Sequence, residues 1–279
     1  MVTAPEPRSE FVTVDGQRFH FLEWGRSDAP VVLVLHGFTG HAWQAAPTAA
    51  ALGDRFRVVA LDQRGHGDSD WADVYGSVPM AADAIGVLDA LSVERAAVVG
   101  HSLGGIVGTV VAALHPDRVR ALVLGDIGPE PAPEGVARIR ANVAERDTFT
   151  SVDDAYDAQV ALNPTADPVA LRHRVEHNLV PGPDGTLTWK YDPALRDGTA
   201  RYENHAADEH WAFLAALTVP VLVLRGELSD ILSEDIAARM LAANPRLSLV
   251  TIPGAGHSIA TDAPELVAAT IADFLTGLG

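Results

Sequence analysis

Short apolar segments alternate with helix-like segments through the first half of the chain, and this alternation limits the fold more than any other feature. The segments PVVLVLHG, FRVVALDQRG, RAAVVGHS and VRALVLGDI read as buried strands. Helical patterns, among them MAADAIGVLDALSV and LGGIVGTVVAALHP, lie between these strands. Because strands connected through helices run parallel, this order predicts a mostly parallel sheet with helices on both faces.

The alternation begins after a hairpin and is interrupted once. The segments EFVTVDG and QRFHFLEWG predict an antiparallel pair with Asp15-Gly16 as its turn. Within residues 129–210 no buried strand is recognisable, and three helical patterns stand there instead. Strands return with VPVLVLRG and LSLVTIPG, and PELVAATIADFLTGL predicts a final amphipathic helix. We therefore expect a core of residues 1–128 and 211–279 and a helical insertion of residues 129–210.

Composition excludes several classes of function. The 279 residues carry 20 basic and 37 acidic side chains, a net charge of −17, so nucleic acid and anionic membrane surfaces are unfavourable partners. The absence of cysteine excludes disulfides, thiolate catalysis and cysteine-based zinc sites. The first residues, MVTAPEPRSE, lack the apolar stretch of a signal peptide. We expect a cytoplasmic protein that acts on a small molecule, of undetermined oligomeric state.

The pentapeptide Gly100-His101-Ser102-Leu103-Gly104 matches the pattern G-x-S-x-G. A predicted strand ends at Gly100 and a predicted helix begins near Leu103, which is the setting of a serine held on a strained turn. Flanking glycines suit such a turn because a Cβ there would strike the neighbouring backbone. The pattern predicts that Ser102 is a nucleophile exposed at the carboxyl edge of the sheet.

A serine nucleophile needs a base and a carboxylate that orients the base. His257, in IPGAGHSIA, lies in the loop between the last strand and the last helix and is the predicted base. Asp230, in LRGELSDIL, is the predicted acid, because it lies far enough along its loop to point back across the sheet edge. Glu227 and Asp126 also follow predicted strands and stay as alternatives, with Glu227 better placed to fix its loop.

Stabilisation of an oxyanion is the third requirement. The segment LHGFTG follows the first central strand, and the backbone N–H groups of Phe38 and Leu103 are its predicted donors. His36 in the same segment is expected to hold the loop rather than take part in chemistry.

The segments LHGFTG, LDQRGHGDS, VGHSLGG, VLRGELSD and PGAGH, taken together and in this order, resemble the α/β-hydrolase superfamily over nearly the whole chain. The resemblance implies an eight-stranded α/β-hydrolase sheet, a helical cap at the insertion, and the nucleophile–acid–base order Ser102, Asp230, His257. In some relatives the acid lies after the strand before the cap, where this chain has Asp126. In LDQRGHGDS, Arg64 and Asp68 are expected to fix the loop.

The combined prediction is a serine esterase that works through an acyl-enzyme and needs neither a metal nor an organic cofactor. Amides, lactones and C–C bonds next to a carbonyl remain alternative substrates, and a perhydrolase, haloperoxidase-type enzyme or non-catalytic receptor remain alternative functions. Phe149, Trp189 and Tyr191 of the insertion are candidate substrate contacts or, equally, cap core. The H-x-x-E-H match at His173–His177 resembles a zinc signature, but no third ligand is marked, and a charged exposed helix is the preferred interpretation.

Overall fold

An eight-stranded sheet crosses the centre of the protein in a computed structural model that describes residues 6–182 and 184–278. The strands are β1 (Arg8–Val14), β2 (Gln17–Trp24), β3 (Val31–Leu35), β4 (Arg57–Leu61), β5 (Val74–Tyr75), β6 (Ala96–His101), β7 (Val119–Gly125), β8 (Thr148–Phe149), β9 (Leu179–Pro181), β10 (Leu187–Trp189), β11 (Arg201–Tyr202), β12 (Val221–Gly226) and β13 (Leu247–Ile252). The helices are α1 (Ala46–Leu52), α2 (Ser77–Ala90), α3 (Leu103–Leu114), α4 (Pro133–Glu145), α5 (Val152–Leu162), α6 (Pro168–His177), α7 (Pro193–Asp197), α8 (Ala207–Ala216), α9 (Glu234–Ala243), α10 (Ile259–Asp262) and α11 (Pro264–Thr276).

The strand order of the main sheet is β1-β2-β4-β3-β6-β7-β12-β13. β1 and β2 pair antiparallel, β2 is antiparallel to β4, and the remaining pairs are parallel. The turn between β1 and β2 holds Asp15 and Gly16 at φ of 49° and 83°. The hairpin, the mostly parallel sheet and the α/β fold class predicted from the sequence are thereby confirmed.

Both faces of the sheet are buried, which explains why the central strands are apolar throughout. In β3, Val31, Leu33 and Leu35 join one apolar cluster and Val32 joins the other, as the two-residue period of a strand requires. Helices α2, α3, α8 and α9 cover the first face, and α1 and α11 cover the second. The carboxyl ends of the parallel strands are left free at one edge of this sandwich.

The chain between β7 and β12 leaves the sheet, where the sequence predicts an insertion at residues 129–210. It contains α4 to α7 and a small antiparallel sheet in the order β8-β10-β9. A separate apolar cluster, with Phe149, Val175 and Leu195 among its members, forms mainly from this segment and also includes Tyr75 of β5. The predicted boundary at residue 210 falls within α8, whose Leu214 belongs to the core of the main sheet.

No helix within residues 6–182 and 184–278 has both the length and the apolar character that a bilayer crossing would require.

Candidate active site

Ser102 occupies the turn between β6 and α3, at φ 51° and ψ −117°. Positive φ is costly for a residue with a side chain, so the turn is strained. The turn is tight as well. A Cβ on Gly100 would lie 2.2 Å from the carbonyl oxygen of Gly104, and one on Gly104 would lie 2.1 Å from that of Leu35. The two glycines of the motif are therefore required by the close approach of backbone to backbone.

His257 lies in the loop that follows β13, and its ring bridges two partners. Its Nε2 is 3.0 Å from Ser102 Oγ, and its Nδ1 is 2.8 Å from Oδ2 of Asp126. The structure thus brings the serine and the histidine predicted from the sequence into direct contact. Because the carboxylate accepts from Nδ1–H, the bare Nε2 faces the serine hydroxyl.

Asp126 is the carboxylate on His257. It follows β7 directly, stands at φ 51°, and is fully buried. Its other contacts are the Gly226 N–H, donated to Oδ1 at 2.7 Å, and the Ser229 hydroxyl, donated to Oδ2 at 2.5 Å. With all three donors in place, this buried charge is compensated and its orientation is fixed.

Asp230, the acid predicted from the sequence, forms no hydrogen bond with His257, and the carboxylate that contacts this ring is, contrary to the prediction, that of Asp126. Arg138 of α4 holds Asp230 through two contacts, Nε to Oδ2 at 2.5 Å and Nη2 to Oδ1 at 2.8 Å. This guanidinium lowers the pKa of Asp230. Glu227 accepts the Gly254 N–H at 2.7 Å and fixes its loop, as expected. The loop therefore contributes the Ser229 hydroxyl, rather than a carboxylate, to the site.

The N–H groups of Phe38 and Leu103 donate to no acceptor within the described part of the chain. Leu103 is the first residue of α3, where helical N–H groups have no partner inside the helix. Gly37, which precedes Phe38, lies so close to the turn that a Cβ on it would be 3.3 Å from Ser102 Cβ. Two free donors are therefore placed on the segments that flank Ser102.

Neighbouring histidines hold the site together. His36 donates from Nδ1 to the Gly37 carbonyl and accepts the Gln63 N–H at Nε2, which is the structural role predicted for it. His101 donates from Nε2 to the His257 carbonyl at 2.9 Å. Burial lowers the pKa of His101 to about 3, so this ring is neutral and fixes the backbone of His257.

A cavity of about 170 Å³ opens beside Ser102 and His257, between the sheet edge and the inserted segment. Trp189 and Tyr191 line it, and both also belong to the apolar cluster that includes Phe149. Phe149 does not line it and is only 1% exposed in that cluster, so of the two alternatives left open for this residue its position favours cap core over substrate contact.

Two arginines that the sequence analysis did not single out, Arg138 and Arg174, also line this cavity. No aspartate or glutamate of the described residues does so. In the sequence, an arginine on a charged helix cannot be distinguished from an ordinary surface arginine. The sequence therefore does not indicate that either residue lines a cavity.

His173 and His177 of the H-x-x-E-H match face each other on α6 with ring centroids 4.2 Å apart. His177 donates from Nδ1 to the His173 carbonyl, and both rings contact Trp43. No third ligand completes a metal site with them among residues 6–182 and 184–278. The pair packs against the core rather than lying exposed.

Two charged residues of the segment LDQRGHGDS, Arg64 and Asp68, hold their loop in place through ion pairs, as predicted. Arg64 forms a bidentate pair with Asp83, at 2.6 and 2.7 Å. Asp68 pairs with Lys190, the single lysine of the chain, at 2.8 Å, and this contact ties the insertion to the core.

Comparison with known proteins agrees with this fold. A family model described as the alpha/beta hydrolase fold matches residues 30–264. The chain is 34% identical over 254 residues to the 2-(acetamidomethylene)succinate hydrolase of Mesorhizobium japonicum, covering 90% of this chain and 89% of that protein. It is 31% identical over 271 residues to an esterase of Mycobacterium tuberculosis, covering 93% and 87%. The crystal structure of an E-2-(acetamidomethylene)succinate hydrolase superimposes with a TM-score of 0.87 at 30% identity, covering 97% of this chain and 100% of that one.

The chain belongs to the α/β-hydrolase family, as the match over residues 30–264 shows. It is an enzyme of the hydrolase type, in keeping with the named activities of these relatives.

Proposed function

We propose that the protein is a serine hydrolase that cleaves a carboxylic ester through an acyl-enzyme. The observation that carries the proposal is the continuous chain of contacts from Ser102 Oγ through His257 to Asp126. This chain ends at a strained turn beside an open cavity, so the hydroxyl is accessible to a substrate.

In the first half of the reaction, Ser102 Oγ attacks the acyl carbon while His257 Nε2 takes the hydroxyl proton. The carbonyl oxygen becomes an oxyanion, for which the N–H groups of Phe38 and Leu103 are the proposed donors. Collapse of this tetrahedral intermediate breaks the bond to the leaving group. The leaving alkoxide receives the proton from His257, and the acyl group stays on Ser102.

In the second half, water replaces the alcohol. His257 takes a proton from the water, the hydroxyl attacks the acyl carbon, and the second intermediate collapses to a carboxylic acid and free Ser102. Throughout both halves, Asp126 holds Nδ1–H and stabilises the imidazolium that forms on each proton transfer.

The insertion is the proposed cap, because it closes the cavity with Trp189 and Tyr191. A carboxylic ester is the proposed bond, since one relative is named an esterase. The name of the Mesorhizobium relative shows that the fold also accommodates other hydrolytic substrates.

A fluorophosphonate test addresses the mechanism directly. We expect the reagent to label Ser102, identified by peptide mass, and to abolish hydrolysis of p-nitrophenyl esters in proportion to labelling. A protein that hydrolyses none of these esters and takes up no label is a receptor on a hydrolase fold, and the proposal then fails.

A further inference from the structure

Arg174 lines the cavity, and no carboxylate of the described residues lies within ion-pair distance of its guanidinium. Its guanidinium forms no hydrogen bond or ion pair with any residue in the ranges 6–182 and 184–278, although Asp262 of α10 and Tyr191 interact with it electrostatically from a greater distance. The Arg174 backbone carbonyl accepts from His41 Nε2 at 3.0 Å. The residue is half-buried, and desolvation lowers the pKa of its guanidinium. Removing a cation from water costs folding free energy, and a carboxylate beyond ion-pair distance offsets that cost only in part, so a role in stability does not explain the position of Arg174.

The rest of the lining does not neutralise this charge. Arg138 is already paired with Asp230 through both of its contacts. Burial lowers the pKa of His36, His41 and His101, which keeps these lining histidines neutral. None of the described acidic side chains lines the cavity, although acids exceed bases by 17 in the whole chain. The lining of the cavity therefore holds an arginine without an ion pair and, among the described residues, no carboxylate, which favours entry of an anion.

The chemistry of the free groups favours a carboxylate. A guanidinium presents a planar fork of N–H donors that matches two carboxylate oxygens. Asn142 of α4 lines the same cavity, and its amide has no hydrogen-bond partner in the described chain. It offers a neutral donor on a second element of the insertion.

We propose that Arg174 binds a carboxylate group of the substrate, so that the preferred esters carry a second, anionic group besides the bond that is cleaved. This inference rests on the proposed function, because it assigns a substrate class to the same cavity. Arg174 is then a specificity residue contributed by the insertion, while the groups on the sheet edge carry the bond cleavage.

The test compares isosteric esters that differ in one charge. Monomethyl glutarate is matched with methyl 5-methylhexanoate, which places the charge on the acyl side. 4-Acetoxybutanoate is matched with 4-methylpentyl acetate, which places it on the alcohol side. In at least one pair we expect the wild-type kcat/KM to favour the anionic ester, and Arg174→Met to lower that kcat/KM roughly 10- to 100-fold, as the loss of a charge-assisted pair implies. The kcat/KM for the neutral ester should change by less than about threefold.

A binding measurement separates recognition from catalysis. Glutarate binding, followed by calorimetry, should weaken in Arg174→Met by a similar factor and recover in part in Arg174→Lys, which keeps the charge but not the fork. Arg172→Met is the matched control, since Arg172 lies on the same helix but pairs at the surface with Asp153 and Glu176. It should leave both the ester preference and glutarate binding unchanged.

The two proposals fail differently. If fluorophosphonate labels Ser102 but neither anionic ester is preferred, or Arg174→Met lowers kcat/KM equally for both members of each pair, the carboxylate inference is overturned and the serine-hydrolase proposal stands. If labelling fails while glutarate binds through Arg174, the reaction mechanism is overturned and the anion site stands.

Discussion

Two regions of the molecule carry a serine, a histidine and an aspartate in series. In one, Ser102 Oγ, His257 and Asp126 are joined at 3.0 and 2.8 Å. In the other, Ser9 Oγ lies 2.9 Å from His20 Nε2, and His20 Nδ1 lies 2.7 Å from Oδ2 of Asp62. We call the Ser102–His257–Asp126 series the first relay and the Ser9–His20–Asp62 series the second relay. Their hydrogen-bond distances alone do not distinguish them.

Their surroundings differ in every other respect. Ser102 stands at positive φ on a tight turn beside a cavity, whereas Ser9 is an exposed residue of β1 opposite Leu22 and does not line that cavity. Asp62 also accepts the N–H groups of Ala42 and Asp68, so it anchors loops. A hydrogen-bonded relay is therefore insufficient for catalysis without an accessible nucleophile and nearby oxyanion donors.

The largest expected difference between the relays is in turnover. Ser102→Ala should lower kcat for p-nitrophenyl esters by about 10⁴-fold or more, because the nucleophile is lost, while the melting temperature stays near that of the wild type. Ser9→Ala is the matched control and should keep wild-type kcat. If Ser9→Ala lowers turnover as far as Ser102→Ala does, the assignment of the first relay is wrong.

The acid of the first relay is tested by neutralising each candidate in turn. Asp126→Asn should lower kcat by roughly 10³- to 10⁴-fold, because an amide cannot hold the correct tautomer of His257 or stabilise its cation. Asp230→Asn should change kcat by less than about tenfold, since Asp230 contacts Arg138 rather than the histidine. Side-by-side kinetics at pH 8 distinguish them, and a reversed ranking would restore Asp230 as the acid.

The second relay should act on stability. Asp62→Asn removes the charge that His20 and two backbone N–H groups share in a buried position, and we expect a loss of about 2–4 kcal/mol in the free energy of unfolding. Urea denaturation measures this loss. Turnover per folded molecule should remain within about threefold of the wild type, and a selective loss of turnover at full stability would give this relay a catalytic role instead.

Buried neutral histidines give a smaller, pH-dependent effect near the second relay. Burial lowers the pKa of His66 to about 3, and its Nδ1 donates to the Arg64 carbonyl. Because an unfolded histidine titrates near 6.5, the unfolded state gains a proton first, and stability falls as pH decreases below that value. His66→Asn keeps a donor but cannot titrate. The loss of unfolding free energy between pH 7 and 5.5 should shrink by about 1.2 kcal/mol, and an unchanged pH dependence would refute the buried neutral state.

The sequence predicts the sheet, the hairpin and the Ser102–His257 contact because local patterns determine them. A serine between two glycines requires a tight turn, and a histidine after the last strand reaches the same sheet edge. The sequence does not predict that Asp126, rather than Asp230, contacts His257, because the deciding contact is distant in sequence. Arg138 lies 92 residues before Asp230, and its guanidinium binds the Asp230 carboxylate, which does not contact His257. The position of Asp126, directly after a strand next to the nucleophile strand, was the available signal, but its backbone conformation cannot be read from the sequence.

The cap illustrates the same limit. Phe149, Trp189 and Tyr191 are all aromatic residues of one segment, and composition cannot tell which of them borders a cavity. The orientation of the small β8-β10-β9 sheet decides it, by turning Trp189 toward the cavity and Phe149 inward. Arg174 has no sequence signal at all, because an unpaired cation becomes visible only when every possible partner has been located.

The single lysine makes the junction between insertion and core chemically addressable. Lys190 Nζ contacts both oxygens of Asp68 across that junction, and its side chain keeps 23% of its exposure. If the terminal amine is first acylated at near-neutral pH, where an α-amine is less protonated than a lysine amine, an amine-selective dye would then attach at one position only. Its rate of attachment would follow the opening of the junction in real time, and an acceptor dye on a cysteine introduced into this cysteine-free chain would turn the same motion into an energy-transfer signal.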